Sequence, residues 1–350
     1  MKRFQFLSND LGIDLGTSNI LINMADKGIV IREPCVVAVD RNSGKILQVG
    51  AAARNMLGRT PGNIVAMHPL RDGVISDYEM TVKMLQLLFR STTKSTLFTP
   101  KPRVIISVPS GITEMEERTV INAATEAGAR RVYLIEEPLA AAFGAGLDLK
   151  GPNGHMVVDI GGGTTDIAVL SMGNIAVSSS IKLAGIAFDE AIARYIRRAY
   201  GVIIGQTIAE DIKIQIGSVY PRQEDVSMLV KGRDARTGVP RELMLTASEL
   251  LEKVLHRMGM QIADEVLSVL EDTSPELVSD IAANGITLTG GGSLISGMDQ
   301  LLTERTGVSC TIADDPDSCV AYGCGKSLSW INHMNEGRLN IARKRMMRQG

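Results

Sequence analysis

Gly12-Ile13-Asp14-Leu15-Gly16-Thr17-Ser18-Asn19-Ile20-Leu21-Ile22 reads as a β-rich run ending in Asp, a tight Gly turn and a second β-rich run. About 145 residues later the pattern returns as Met156-Val157-Val158-Asp159-Ile160-Gly161-Gly162-Gly163-Thr164-Thr165-Asp166-Ile167-Ala168-Val169. An internal echo at this separation predicts two related halves, each opening with an Asp-Gly hairpin. A third Gly-rich turn, Thr289-Gly290-Gly291-Gly292-Ser293, follows a further short strand pattern, Ile286 to Thr289.

The rest of the chain alternates strand and helix signals, which predicts an α/β class. Val36 to Val39 and Ile46 to Val49 flank a hairpin turn at Asn42-Ser43-Gly44. Met80 to Phe89 has helical spacing, Arg103 to Val108 and Val132 to Ile135 read as strands, and Pro138 stands in the first turn of a helix. Capping boxes are read at Thr113-x-x-Glu116, Thr207-x-x-Glu210 and Thr246-x-x-Glu249. Helices are expected at Phe188 to Tyr200 and at Ser274 to Ala283, the latter closed by Asn284-Gly285, and Asp317 is read as the cap of the last helix.

Composition narrows the function. The 350 residues carry 37 Lys+Arg against 39 Asp+Glu, a net charge of −2, with 4% aromatics. Near-neutral charge and scarce aromatics remove the footprint of a nucleic-acid binder. Cys35, Cys310, Cys319 and Cys324 lack CxxC spacing, so buried free thiols are expected rather than a zinc site or disulfides. No apolar run approaches the roughly 18 residues of a spanning helix. The N-terminal stretch turns polar too quickly for a signal peptide, so a soluble, cytoplasmic protein is expected.

The three Gly turns need one explanation. Glycines let backbone N–H groups approach an anion, and Thr or Ser adds hydroxyl donors, which together suit phosphate. An Asp just before each of the first two turns would repel phosphate directly. It makes sense if a hydrated Mg²⁺ lies between. Gly323-Cys324-Gly325-Lys326-Ser327 resembles the end of a P-loop, but Val320 stands where the first Gly is required, so Lys326 is read as a helix surface residue.

These residues resemble the actin/heat-shock chaperone/sugar-kinase ATPase superfamily, and within it the MreB family of bacterial actins. The resemblance also rests on Leu57-Gly58-Arg59-Thr60-Pro61-Gly62-Asn63-Ile64, Asp72-Gly73-Val74-Ile75, Ile135-Glu136-Glu137-Pro138 and Pro275-Glu276-Leu277-x-x-Asp280-Ile281. It implies an actin-like fold of two duplicated α/β domains, each with a smaller inserted subdomain, and a nucleotide in the interdomain cleft. The expected division is 1–145 with a small subdomain at 33–65, 146–316 with one at 182–245, and 317–350 as a helix returning to the first domain plus a basic tail.

The same resemblance implies ATP and Mg²⁺ as cofactors. Asp14 and Asp159 would organise the metal, mostly through water. Thr17, Ser18 and Asn19 would form the first phosphate loop, and Gly161, Gly162, Gly163 and Thr164 the second. Glu210 and Lys213 would hold ribose and adenine, Gly290, Gly291, Gly292 and Ser293 would lie beneath the nucleotide, and Glu137 with Thr164 would position the attacking water. The implied function is an ATP-dependent, membrane-associated filament that determines rod shape by organising wall synthesis. A small-molecule kinase of the same superfamily is the alternative.

Implied partners are further copies of the chain, the inner membrane lipid surface and the membrane proteins of shape and wall elongation, with no nucleic acid. Phe4, Phe6 and Leu7, beside Lys2 and Arg3, have the composition of an interfacial segment. The resemblance gives Leu97 and Phe98 a membrane contact as well. Ile186 departs from the family pattern, which has an acidic or amide residue there.

Overall fold

The computed structural model describes residues 10–92 and 101–330. The proposed membrane residues Phe4, Phe6, Leu7, Leu97 and Phe98, and the basic tail, lie outside them. The chain divides into two compact units, one running to Asp148 and resuming at Ser318, the other spanning Leu149–Asp317.

The first unit is built on β1 (Leu11–Leu15), β2 (Asn19–Met24) and β3 (Gly28–Pro34). A small sheet follows from β4 (Val37–Asp40), β5 (Ile46–Val49), the short helix α1 (Gly50–Arg54) and β6 (Ile64–Met67), and then a two-stranded ribbon, β7 (Leu70–Arg71) and β8 (Val74–Ile75). Next come α2 (Tyr78–Thr92), β9 (Arg103–Val108), α3 (Glu114–Ala127), β10 (Arg131–Glu136) and α4 (Glu137–Ala145). The main sheet has the order β10-β9-β1-β2-β3, with β1, β9 and β10 parallel and β1, β2 and β3 antiparallel.

The second unit repeats that plan. Its strands are β11 (His155–Ile160), β12 (Thr165–Ser171) and β13 (Asn174–Ile181), followed by α5 (Gly185–Tyr200), β14 (Val202–Ile203), α6 (Gln206–Ile216), β15 (Ser227–Asp234) and β16 (Pro240–Thr246). A long helical stretch then comprises α7 (Ala247–Leu250), a π-helical segment at Leu251–Leu255, and α8 (His256–Glu271). The unit ends with α9 (Pro275–Asn284), β17 (Ile286–Thr289), a 3₁₀ turn at Gly291–Leu294, α10 (Met298–Thr306) and β18 (Cys310–Ile312). Its main sheet, β13-β12-β11-β17-β18, again joins a three-strand antiparallel meander to parallel strands, and β14-β15-β16 form a small sheet. The echo in the sequence is thus an echo in topology.

The chain then re-enters the first unit as α11 (Cys319–Ser327). Small residues let this helix lie against backbone: a Cβ on Gly12 would sit 2.6 Å from the Cys324 carbonyl carbon, and Gly144 and Gly323 face the Cys319 and Ala140 carbonyls. Only glycine permits such approach. Lys326 stands exposed on the surface of α11, as the sequence predicts, and its ammonium donates to the Phe143 (2.7 Å) and Gly144 (3.2 Å) carbonyls at the end of α4, where a cation also meets the helix dipole.

Each unit has its own apolar core. Helix α5 enters the second core through Phe188, Ile192 and Ile196, spaced four apart and fully buried, each contributing about 1.5–3 kcal/mol. All four cysteines are buried free thiols.

Two capping expectations change. Helix α6 starts at Gln206 with Gly205 as its N-cap and no side-chain cap, so Thr207 and Glu210 lie inside the first turns instead of forming a box. Ser318, not Asp317, caps α11, because Pro316–Ser318 form a 3₁₀ turn that shifts the helix start by one residue. The box at Thr113 and Glu116 forms fully. At Thr246 only half forms: the threonine accepts from the Glu249 amide, while the Glu249 carboxylate takes the hydroxyls of Tyr195 and Tyr200.

Candidate functional site

In the first unit the Asp-Gly turn links β1 to β2. Asp14 is half-buried and accepts from the Ser107 hydroxyl at 3.3 Å, at the end of the neighbouring β9. Thr17 is buried, and its hydroxyl accepts the Gly73 amide at 2.9 Å. That bond uses a lone pair and leaves the O–H to donate elsewhere. The Ser18 carbonyl accepts the Cys35 amide, and Asn19 opens β2 with an exposed side chain. Glu137 is buried as the first residue of α4. Asp14 and Glu137 both reach Cys324 electrostatically: burial pushes that thiol well up, and the two carboxylates push it further. Both carboxylates therefore stand at one end of the same sheet.

The second unit holds the denser cluster. Asp159 pairs with Asp166 across the β11–β12 ladder and with Thr289 across the β11–β17 ladder. The Thr289 hydroxyl donates to Asp159 Oδ1 at 2.7 Å. Burial pushes the Asp159 carboxyl up to about 7; the Thr289 bond opposes the rise and the Asp166 charge adds to it. The turn after Asp159 closes through the Gly161 amide on the Thr164 carbonyl at 2.9 Å. The Gly185 and Ile186 amides, at the start of α5, donate to the carbonyls of Gly161 (3.1 Å) and Gly162 (2.9 Å). Thr164 is buried, and the Thr165 hydroxyl donates to the Leu183 carbonyl at 2.7 Å.

The third turn lies against the second. Gly290 has φ 77°, and a side chain on it or on Gly292 would run into Ile160. The Gly290 amide donates to the Pro316 carbonyl, and the buried Ser293 hydroxyl donates back to the Gly290 carbonyl at 2.7 Å, so Ser293 holds the shape of its own turn. On α6, Lys213 donates to the Gly185 carbonyl at 2.9 Å and pairs with Asp189 at 2.8 Å. Glu210 lies one turn earlier on the same helix, half-buried.

The structure thus brings Gly161 to Thr164 and Gly290 to Ser293 together around Asp159, at the carboxyl ends of parallel strands, where open α/β sheets bind ligands. Among the described residues, none of the Gly162, Gly163 and Thr164 amides, nor those of Thr17 and Ser18, donates to a backbone carbonyl. Uncommitted amides in Gly turns beside a carboxylate strained by burial fit an anion with a divalent cation. The donor set therefore fits a nucleotide phosphate chain with Mg²⁺.

Sequence reasoning missed Ser107, Gly73, Asp166, Asp189 and the task of Thr289. Thr289 heads the third turn in the sequence, but its bond to Asp159 depends on strand register, which no local pattern states. Asp189 carries no motif signal at all.

Comparison with known proteins gives the family and the fold. Residues 8–336 match the family described as MreB/Mbl protein. The chain is 48% identical over 335 residues to the cell shape-determining protein Mbl of Bacillus subtilis (strain 168), covering 95% of this chain and 99% of that one. It is 48% identical over 337 residues to the cell shape-determining protein MreB of Escherichia coli (strain K12), covering 95% and 97%. The fold is similar to the crystal structure of MreB5 of Spiroplasma citri bound to ADP, with a TM-score of 0.87, 39% identity, and coverage of 93% of this chain and 98% of that chain. With its two mixed α/β units, the protein has an actin-like fold, and the chain belongs to the MreB/Mbl family.

Proposed function

We propose that this MreB/Mbl chain is a cell shape-determining filament protein that binds ATP with Mg²⁺ and hydrolyses it slowly, polymerising on the inner face of the cell membrane to organise wall synthesis. The uncommitted amides of Gly162, Gly163 and Thr164 carry the nucleotide part of this reading, because a Gly turn with free N–H groups and little side-chain bulk is an anion cradle. The two units correspond in this reading to domains 1–145 and 146–316, with small subdomains at 33–65 and 182–245 and a helix from 317 returning to the first.

Thr17, Ser18 and Asn19 and the Gly161 to Thr164 turn serve as phosphate donors, with Gly290 to Ser293 supporting the nucleotide. Glu210 and Lys213 serve the ribose and adenine end. Asp14 and Asp159 would hold the metal, mostly through water. A bound Mg²⁺ would supply charge neutralisation of the transferring phosphoryl group. Glu137 accepts a hydrogen bond from the attacking water and Thr164 offers a hydroxyl to fix it, so that positioning carries the catalysis. Ile186 does not weaken this scheme at the second turn, since its tie to Gly162 runs through its backbone amide and not its side chain.

The described residues contain no helix long and apolar enough to cross a membrane. Membrane contact in this reading falls to Phe4, Phe6, Leu7, Leu97 and Phe98, and the filament's other partners are the membrane proteins of shape and wall elongation. Electron microscopy of the purified protein on an anionic lipid monolayer tests the reading. Filaments should form on the lipid with ATP·Mg²⁺. Filaments equally abundant without nucleotide, or none under any condition, would reject it.

A further inference from the structure

Lys213 and Asp189 form an ion pair whose side chains are 11% and 4% exposed, and the pair is not idle. The same Lys213 ammonium donates to the Gly185 carbonyl at 2.9 Å. Gly185 in turn donates its amide to the Gly161 carbonyl at 3.1 Å, and Ile186 donates to Gly162 at 2.9 Å. A Cβ on Gly185 would lie 3.3 Å from both the Gly161 carbonyl oxygen and Lys213 Nζ, so the glycine fits between the lysine and the turn.

The peptide plane turns these bonds into a device. In a trans peptide the C=O of one residue and the N–H of the next point in opposite directions. Holding the Gly161 and Gly162 carbonyls against the start of α5 therefore turns the Gly162 and Gly163 N–H groups the other way. Those are amides left without a backbone acceptor among the described residues. A glycine turn has no side chains to fix its peptide planes, so the orientation has to come from outside it.

We infer that Asp189 and Lys213 are positioning residues that aim the second turn's amides at the phosphate chain through Gly185, a task separate from any contact Lys213 makes with the nucleoside. Asp189 fixes the ammonium, the ammonium fixes Gly185, and Gly185 with Ile186 fixes the planes of the turn. The inference rests on the nucleotide-binding reading given above. It also makes α5 and α6 the elements that set phosphate affinity in this unit, with the pair as their clamp.

The test titrates the full chain with ATP·Mg²⁺, AMP and inorganic tripolyphosphate, each in competition with a fluorescent ATP analogue. Wild-type protein that fails to bind ATP would defeat the nucleotide reading itself. If the wild type binds, Asp189→Ala should weaken ATP and tripolyphosphate alike by about tenfold and leave AMP within about twofold, since the buried ion pair that holds the ammonium is lost. Asp189→Glu, which keeps the negative charge beside Lys213, should recover part of the loss. Removing one partner leaves a buried charge and can cost the fold, so Asp189→Leu combined with Lys213→Met, which removes both charges, is the second variant. Because Lys213 also serves the nucleoside end, this variant is read on tripolyphosphate alone, whose affinity should fall about tenfold as in Asp189→Ala. For Asp189→Ala, an unchanged ratio of tripolyphosphate to AMP affinity, a loss confined to AMP and ATP, or equal loss of all three ligands would overturn the inference, as would unchanged tripolyphosphate affinity in the folded double variant.

Discussion

Asp14 and Asp159 occupy the same place in two copies of one hairpin, yet their surroundings differ. Asp14 is half-buried beside a serine hydroxyl 3.3 Å away, whereas Asp159 is 4% exposed, bonded to Thr289 at 2.7 Å and paired across the ladder with a second buried carboxylate. The two hairpins share the backbone turn and the position of the acid but not its surroundings. The first turn is held by a link to the β7–β8 ribbon through Gly73, and the second by the start of α5 through Gly185 and Ile186. The two halves therefore offer similar donors, and in the second the burial of Asp159 stores an unfavourable charge that a cation would relieve.

The largest consequence is in stability. The folded Asp159 carboxyl, at about 7, lies above its ordinary 3.8, so the native state keeps a proton that the unfolded chain releases. The stabilisation is full below about pH 4 and is lost as pH rises through about 7. In nucleotide-free protein, Asp159→Asn should therefore gain on wild type across that window, by at most roughly 4 kcal/mol at the top. Denaturant melts of both proteins from pH 4 to 8 measure this, and parallel curves would remove the stored charge.

Ligand binding sharpens the contrast between the two acids. Asp159→Ala should weaken Mg²⁺-dependent ATP binding by about a hundredfold, the upper end for groups acting on a metal through water, and Asp14→Ala by about tenfold. Equal losses would mean that burial makes no difference to the metal. Glu137→Ala should keep ATP affinity and slow phosphate release by about a hundredfold, the size of one general-base contribution. Unchanged turnover would take Glu137 out of the mechanism. The smallest effect is expected at the first turn's own tie: Thr17→Val deletes the bond to Gly73 and should cost about 1 kcal/mol in a thermal melt.

Much of this was legible in the sequence because it is local. The Asp-Gly turns, the strand runs around them and the Thr113 capping box are set by residues within a few positions of one another. The misread box at Thr207 shows the limit of the same logic, since Thr-x-x-Glu also occurs inside a helix that starts earlier on a glycine. What the sequence hides is register and long-range pairing. Thr289 meets Asp159 only because β17 lies beside β11, and Lys213 meets Asp189 and Gly185 only because α6 packs on α5. Lys213 is visible as a charged helix residue, but nothing near it in the chain states that its ammonium is held by a buried carboxylate.

The central claim is that the Gly turns are a phosphate cradle. A crystal structure of this chain with a non-hydrolysable ATP analogue and Mg²⁺ tests it most directly. The account predicts phosphate oxygens accepting from the Gly162, Gly163 and Thr164 amides, with Asp159 ionised and facing the hydrated metal. A triphosphate bound away from that turn, with those amides making no bond to phosphate, would contradict it.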